Sequence, residues 1–284
     1  MNKVLVTVDF SANSRKTIRF AIQLASKSRA EIVFFHMISL IQPSSDAVWD
    51  YMYYTQFQDE ALEQCKKHLS KLIKEVYNDK LPAGVKYSCI CQSGNDVGTQ
   101  IISYAQKNKV DFICVGARGT GIVAKLFGNV ATYLITNSPI PVFVIPKNYR
   151  LKPLTDLCYA SDMEDPETEI KKVLELATSL RATLKVLHFD YEIGLKENQE
   201  KLTQIAQKFE NKNVKFQYKK LNAIYPLNDH LRKAITLIKP SLVVLFTKQN
   251  RNWFDRLFLH SESAELSFTA KVPLLVYRKT SLTT

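Results

Sequence analysis

Hydrophobic positions fall into short, nearly continuous runs, separated by stretches where apolar residues recur every three or four positions. KVLVTVD (3–9), EIVFFHM (31–37), Val85–Cys91, Phe112–Val115 and PVFVI (141–145) read as strands. Most lack the polar alternation of a half-exposed sheet, so they are expected to be covered on both faces. Between them, Ile18, Ala21, Ile22 and Ala25 keep the i, i+3, i+4, i+7 rhythm of a helix whose start is marked by Ser11-Ala12-Asn13-Ser14. Leu62, Leu69, Leu72, Ile73 and Val76 predict a second helix from about Ala61 to Tyr77, and 96–108 and 130–137 predict two more. Strands alternating with helices predict a doubly wound α/β fold around a parallel sheet.

The pattern then restarts. Leu157–Asp162 parallels Leu5–Asp9, each strand leading to an aspartate, and Thr183–His188 parallels Glu31–His36, each closing on histidine. Leu242–Phe246 parallels Phe112–Gly116, and Pro273–Val276 parallels Pro141–Val144. An internal repeat of this length argues for two tandem domains, 1–148 and 149–284. The copies differ most at 40–60, where the first carries Trp49, Tyr51, Tyr53, Tyr54 and Phe57. That stretch reads as a loop and early helix packed on its own domain, with a lid or partner surface as the alternative.

Candidate chemistry centres on Asp111–Val130, an apolar run that breaks at Gly116, carries Gly119 and Gly121, and returns to Gly128-Asn129 before a helix. Strand, glycine loop and helix N-terminus can bring backbone N–H groups onto a phosphate, although glycines also serve simply to turn a tight loop. Neither GxxxxGK[ST] nor GxGxxG occurs here. The corresponding loop of the second copy, Phe246–Ser261, has no glycine, and Trp253, Phe254 and Phe258 crowd it. It reads as having lost any such site, although Lys248, Arg251 and Arg256 could still hold an anion.

Composition narrows the field. The formal charge of +12 would suit an anionic partner, but the basic residues are dispersed, which argues against nucleic acid. No apolar run reaches a membrane-spanning length, and MNKVLVTVDF enters a strand pattern directly, so a cytoplasmic protein is expected. Five cysteines without CxxC spacing argue for buried or half-buried thiols. Cys89 and Cys91 share one strand face, yet two sulfurs make a poor metal site. His36 and His188 are expected as hydrogen-bonded core residues. The paired carboxylates at 59–60 and 164–165 read as helix-start or surface positions, and no catalytic motif stands out, so the chain is not expected to be an enzyme.

Taken together, Val8-Asp9, His36, the 116–129 loop and the Pro-x-x-Val strands resemble the universal stress protein family in a tandem two-domain form. The nucleotide-binding branch carries Gly-x2-Gly-x9-Gly-Ser/Thr after its fourth strand. Here Gly116-x2-Gly119 matches, Gly128 follows after eight residues, and Asn129 replaces Ser/Thr. The resemblance implies two Rossmann-like domains of the adenine-nucleotide alpha-hydrolase type, each with a five-stranded parallel sheet. Their last strands would pair antiparallel, Val142–Ile145 with Leu274–Tyr277. It further implies ATP or AMP, with or without Mg²⁺, in the first domain. Asp9 would contact the nucleoside, Val8 and Met37 would lie against adenine, and Gly116, Gly119, Gly128, Asn129 and Val130 would wrap the phosphates, with Arg118 able to add a charged contact. The expected role is regulatory and stress-linked, with a homodimer of tandem chains or another protein as possible partners. A ligand-free scaffold and slow ATP hydrolysis are the alternatives.

Overall fold

The structure, a computed structural model, describes residues 1–39, 48–77, 84–117, 129–190, 195–210, 212–220, 227–247 and 271–279. In the first half the order is β1 (Lys3–Thr7), α1 (Ala12–Ser28), β2 (Glu31–Ile38), α2 (Val48–Tyr77), β3 (Tyr87–Ser93), α3 (Val97–Lys107), β4 (Phe112–Gly116), α4 (Asn129–Asn137) and β5 (Val142–Ile145). The second half follows with β6 (Asp156–Ser161), α5 (Pro166–Leu180), β7 (Thr183–Asp190), α6 (Leu195–Lys208), β8 (Val214–Lys220), α7 (Leu227–Ile238), β9 (Leu242–Thr247) and β10 (Leu274–Arg278).

All ten strands join one sheet in the order β3-β2-β1-β4-β5-β10-β9-β6-β7-β8. Within each half every pairing is parallel. The seam is antiparallel, with Leu274 opposite Val144, Leu275 opposite Phe143 and Val276 opposite Val142. This is the pairing of last strands that the family resemblance implies, and it covers two apolar strands that would otherwise be exposed edges.

The absence of alternation in the strands is explained by a core on each face of the sheet. One contains Val4, Ile18, Phe34, Phe143, Tyr159, Ile170 and Phe246. The other contains Leu5, Ile113, Val144, Leu187, Ile235 and Leu245. Both cores draw on both halves, and one aromatic contact crosses the seam, Phe112 meeting at 6.2 Å the ring of Tyr277, which itself stacks on Phe246 of its own half at 4.8 Å. Lys27 adds hydrogen bonds to the carbonyls of Leu154 and Leu180, both at 3.0 Å. The halves are therefore fused energetically as well as covalently.

Several boundaries differ from the sequence reading, among them β1, which ends at Thr7, two residues short of the 3–9 run. β3 begins at Tyr87 and runs to Ser93, two residues beyond the apolar run that suggested Val85–Cys91. The pairing with β2, which continues to Ser93, decides its extent. α2 begins at Val48, well before the expected Ala61, so the aromatic residues 49–57 belong to the early-helix part of the reading, while 40–47 lie outside the described residues. Aromatic residues are only moderate helix formers, so propensity hid this start. Within that stretch Phe57 is exposed, whereas the side chains of Trp49, Tyr51, Tyr53 and Tyr54 lie outside the described residues. Among the described residues no helix is long and apolar enough to cross a membrane.

Candidate functional site

In the first half, β2 lies on one side of β1 and β4 on the other. The order reverses there, and in doubly wound sheets ligands bind beyond the carboxyl ends of strands at such a switch point. Asp9 lies two residues past β1 and is exposed. Its carboxylate accepts from the Ser11 backbone N–H at 3.0 Å and from the Ser14 hydroxyl, which in turn accepts the Asp9 N–H at 2.9 Å. Ser11 caps α1 by accepting from Ser14 N–H. The residues that start α1 thus also fix the carboxylate at the crevice.

Beneath it, His36 Nδ1 donates to the Val8 carbonyl at 2.6 Å, and Phe10, left-handed at φ 60°, packs edge-on against the imidazole at 4.6 Å. Val8 N–H is given to Phe35 O at 2.8 Å, and the Val8 side chain is buried with the α1 and α2 core. Met37 is half-buried and packs against the opposite core. The two side chains expected against adenine are therefore separated by the sheet, and Met37 is the more accessible of them.

Gly116 ends β4. A Cβ there would lie 2.8 Å from Asn13 Nδ2 and 3.0 Å from Thr17 Oγ1, so glycine is what lets α1 approach this strand. Asn13 donates to Ala117 O at 2.8 Å and Ile145 O at 3.3 Å, tying α1 to the ends of β4 and β5. Asn13 Oδ1 is buried without a hydrogen-bond partner among the described residues. Val130 is half-buried in the first turn of α4, whose helix starts at Asn129. α4 is set against α3 by Tyr133, whose ring occupies the space beside Gly98 and whose hydroxyl meets Thr99 Oγ1 at 2.7 Å. Arg118, Gly119 and Gly128, together with the Asn129 side chain, lie outside the described residues.

These groups fit the nucleoside end of an adenine nucleotide. An anchored, exposed carboxylate can accept from sugar hydroxyls, a thioether can lie against a base, and the N-terminus of α4 presents backbone N–H groups suited to anions. A phosphate chain would depend on residues 118–128.

The equivalent place in the second half is arranged differently. Asp162 follows β6 and accepts the Glu164 N–H at 3.2 Å. Lys279, just past β10, reaches Asp162, Glu164 at 2.9 Å and Glu169 at 3.6 Å. The Lys279 and Glu169 side chains are only 8% and 4% exposed. Burial pulls the Lys279 ammonium down, but its hydrogen bonds to Asp162 and Glu164 and the Glu169 charge leave it above the usual lysine range. Burial pushes the Glu169 carboxyl up, against the hydrogen bond donated by Tyr159 and the Lys279 charge. Sequence reasoning missed this cluster. Its one local signal is Glu169 beside Ile170 on an otherwise apolar helix face. His188 Nδ1 donates to Ser161 O at 2.9 Å, so both histidines are hydrogen-bonded as expected, but only His188 is a buried core residue and His36 is half-buried. Of the second loop, positions 248–261 lie outside the described residues.

Residues 1–146 match the model of the universal stress protein family. The chain is 27% identical over 146 residues to the universal stress protein YxiE of Bacillus subtilis, covering 51% of this chain and 98% of that protein. A universal stress protein of Methanocaldococcus jannaschii is 26% identical over 149 residues, covering 51% of this chain and 82% of its own. Over the whole length, a universal stress protein from Archaeoglobus fulgidus superposes with a TM-score of 0.65 at 18% identity, covering 99% of this chain and 97% of that one. That likeness extends the fold across both halves. With the family model matching half of its residues, the chain belongs to the universal stress protein family.

Proposed function

We propose that the first half binds an adenine nucleotide, ATP or AMP, and that occupancy changes how the protein meets its partners. The observation that carries this reading is the anchored, exposed Asp9 carboxylate at the switch point between β1 and β4. Arg118, Gly119, Gly128, Asn129 and Val130 would hold the phosphates, with Mg²⁺ as a companion ion. The role is one of binding, with no catalytic step assigned. Asp162 is paired with Lys279, which supports confining the site to the first half.

A ligand-free scaffold is the second reading. It is favoured by the same serine contacts, since they also suit an aspartate that merely braces the start of α1. The two readings separate in a thermal-shift titration with ATP and AMP, with and without Mg²⁺, on the wild type, Gly119→Val and Asp9→Ala. A ligand that binds only the folded chain at a hundredfold excess over its Kd adds about 2.7 kcal/mol of stability. A rise in Tm that both variants lose supports the nucleotide site. No rise at millimolar nucleotide, with the chain folded, leaves the scaffold.

A further inference from the structure

We propose that a cavity at the seam between the halves binds a free α-amino acid with an apolar side chain, of the size of leucine, methionine or phenylalanine. The cavity, about 280 Å³ in volume, lies between α5 and the residues that lead into β1 and β4, at the other end of β1 from the Asp9 crevice. Buried Phe112, Leu176 and Tyr277 line it, and the Phe112–Tyr277 ring contact at 6.2 Å joins the halves there. Its charged groups are Asp111, Lys172 and Glu175. Lys172 and Glu175 stand three residues apart on α5, a spacing at which helix neighbours can pair, as Asp229 and Arg232 do at 3.0 Å on α7. Among the described residues neither of them makes an ion pair. Asp111 Oδ2 accepts the Lys3 N–H at 3.0 Å and the Asn2 N–H, which fixes the carboxylate, while Oδ1 accepts no hydrogen bond among the described residues. The Glu175 charge, after burial, holds the Tyr277 phenol above the usual tyrosine range, so that carboxylate acts on the apolar wall of the cavity.

Unpaired charges of both signs beside an apolar wall match a zwitterion that carries an apolar group. The ligand ammonium answers Glu175 and Asp111, its carboxylate answers Lys172, and its side chain covers Phe112, Leu176 and Tyr277. Pockets for drug-sized molecules start at about 300 Å³, so this one suits a smaller ligand. Its two carboxylates disfavour a polyanion such as a nucleotide, because like charges brought together are costly. A simple amine would leave Lys172 unanswered, and a simple carboxylate would leave Glu175 and Asp111 unanswered. Asp111 and Phe112 belong to the first half and Lys172, Glu175 and Tyr277 to the second, so an occupied cavity adds a bridge across the seam.

The test is isothermal titration of the full chain with L-leucine, L-methionine and L-phenylalanine. Leucinamide and N-acetyl-leucine serve as analogues that each keep one charge. For so small a ligand a Kd of roughly 0.1–1 mM is expected for at least one of the three amino acids. Both analogues should bind more weakly than leucine. Lys172→Met and Glu175→Gln, two changes outside the buried core, should each weaken amino-acid binding by about fivefold, the upper worth of one exposed ion pair. In Lys172→Met, leucine should also lose its advantage over leucinamide. Absence of heat with all three amino acids, leucinamide binding as well as leucine to the wild type, or an unchanged Kd in either variant would overturn the proposal. Competition by ATP would place the amino acid in the Asp9 crevice and overturn it as well.

Discussion

After β1 the chain turns through Phe10 at φ 60°, and after β6 it turns through Met163 at φ 63°. In both halves the preceding residue is an aspartate, and the residue before that gives its carbonyl to a histidine of the next strand. The backbone device is thus the same, yet the side chains around it differ in kind. Asp9 is held by a hydroxyl and a backbone N–H, both neutral donors, and faces solvent. Asp162 is held by an ammonium that the protein itself supplies. Thr17 and Glu169, each one residue before the first fully buried isoleucine of its helix, repeat the contrast. At the end of the fourth strand Gly116 leaves room for α1, whereas the matching position of the second half carries Phe246, a buried ring that stacks on Tyr277. One crevice carries an exposed carboxylate held by hydroxyl and amide, and the other carries an aspartate paired with a lysine. A shared turn geometry therefore does not by itself fix the charge that surrounds it.

The largest expected effect comes from removing the internal cation. Lys279→Met leaves Glu169 buried without its counter-charge and should destabilise the protein by roughly 3–5 kcal/mol at pH 7, read by denaturant unfolding. Adding Glu169→Gln should return much of that loss. The pH dependence has a definite sign. Glu169 has a raised folded pKa, and losing Lys279 raises it further. Stability of the variant should therefore fall as pH climbs above the unfolded carboxyl value of about 4.3, and the defect should be small near pH 4. In the wild type the raised Lys279 contributes stability that is complete below an unfolded pKa of about 10.4 and lost as pH rises through the folded value. A stability difference that stays flat from pH 4 to 7 would contradict this account.

Gly116→Ala should cost roughly 1–3 kcal/mol through overpacking against Asn13 and Thr17. Gly116→Ala combined with Asn13→Ala should recover part of it. A neutral Gly116→Ala would mean that α1 moves freely, and that the glycine has no packing role. Smallest is Ser14→Ala, which removes the hydroxyl holding Asp9 and should cost roughly 1 kcal/mol. It should also weaken any nucleotide-dependent thermal shift, and an unchanged shift would detach Asp9's anchoring from the site.

Much of this architecture was legible in the sequence because buried parallel strands are written as unbroken apolar runs. Val4–Val6, Ile32–Phe35 and Leu242–Phe246 are wholly buried strand residues, and Ile18, Ala21, Ile22 and Ala25 are all buried as their spacing predicts. What was hidden depends on contacts distant in sequence. Lys279 meets Asp162 across 117 positions, and no local pattern marks a lysine after a final strand as a buried cation. Gly116 was legible as a glycine needed for close approach, but the neighbour that approaches among the described residues is α1, 104 positions away through the Asn13–Ala117 bond. Cys65 could have been read, since it falls in step with Leu69 and Leu72 on the buried face of α2.

The antiparallel seam between β5 and β10 has one more consequence. Had two identical chains met through this strand, every substitution would have appeared on both sides of a two-fold axis. A change harmful to one crevice would then have been harmful to both. Joining the copies in one polypeptide lifts that constraint, since each residue now occurs once and faces a partner that can change independently. Lys279 stands in one crevice and Gly116 in the other, because the seam joins halves that share a backbone and are free to differ in side chains.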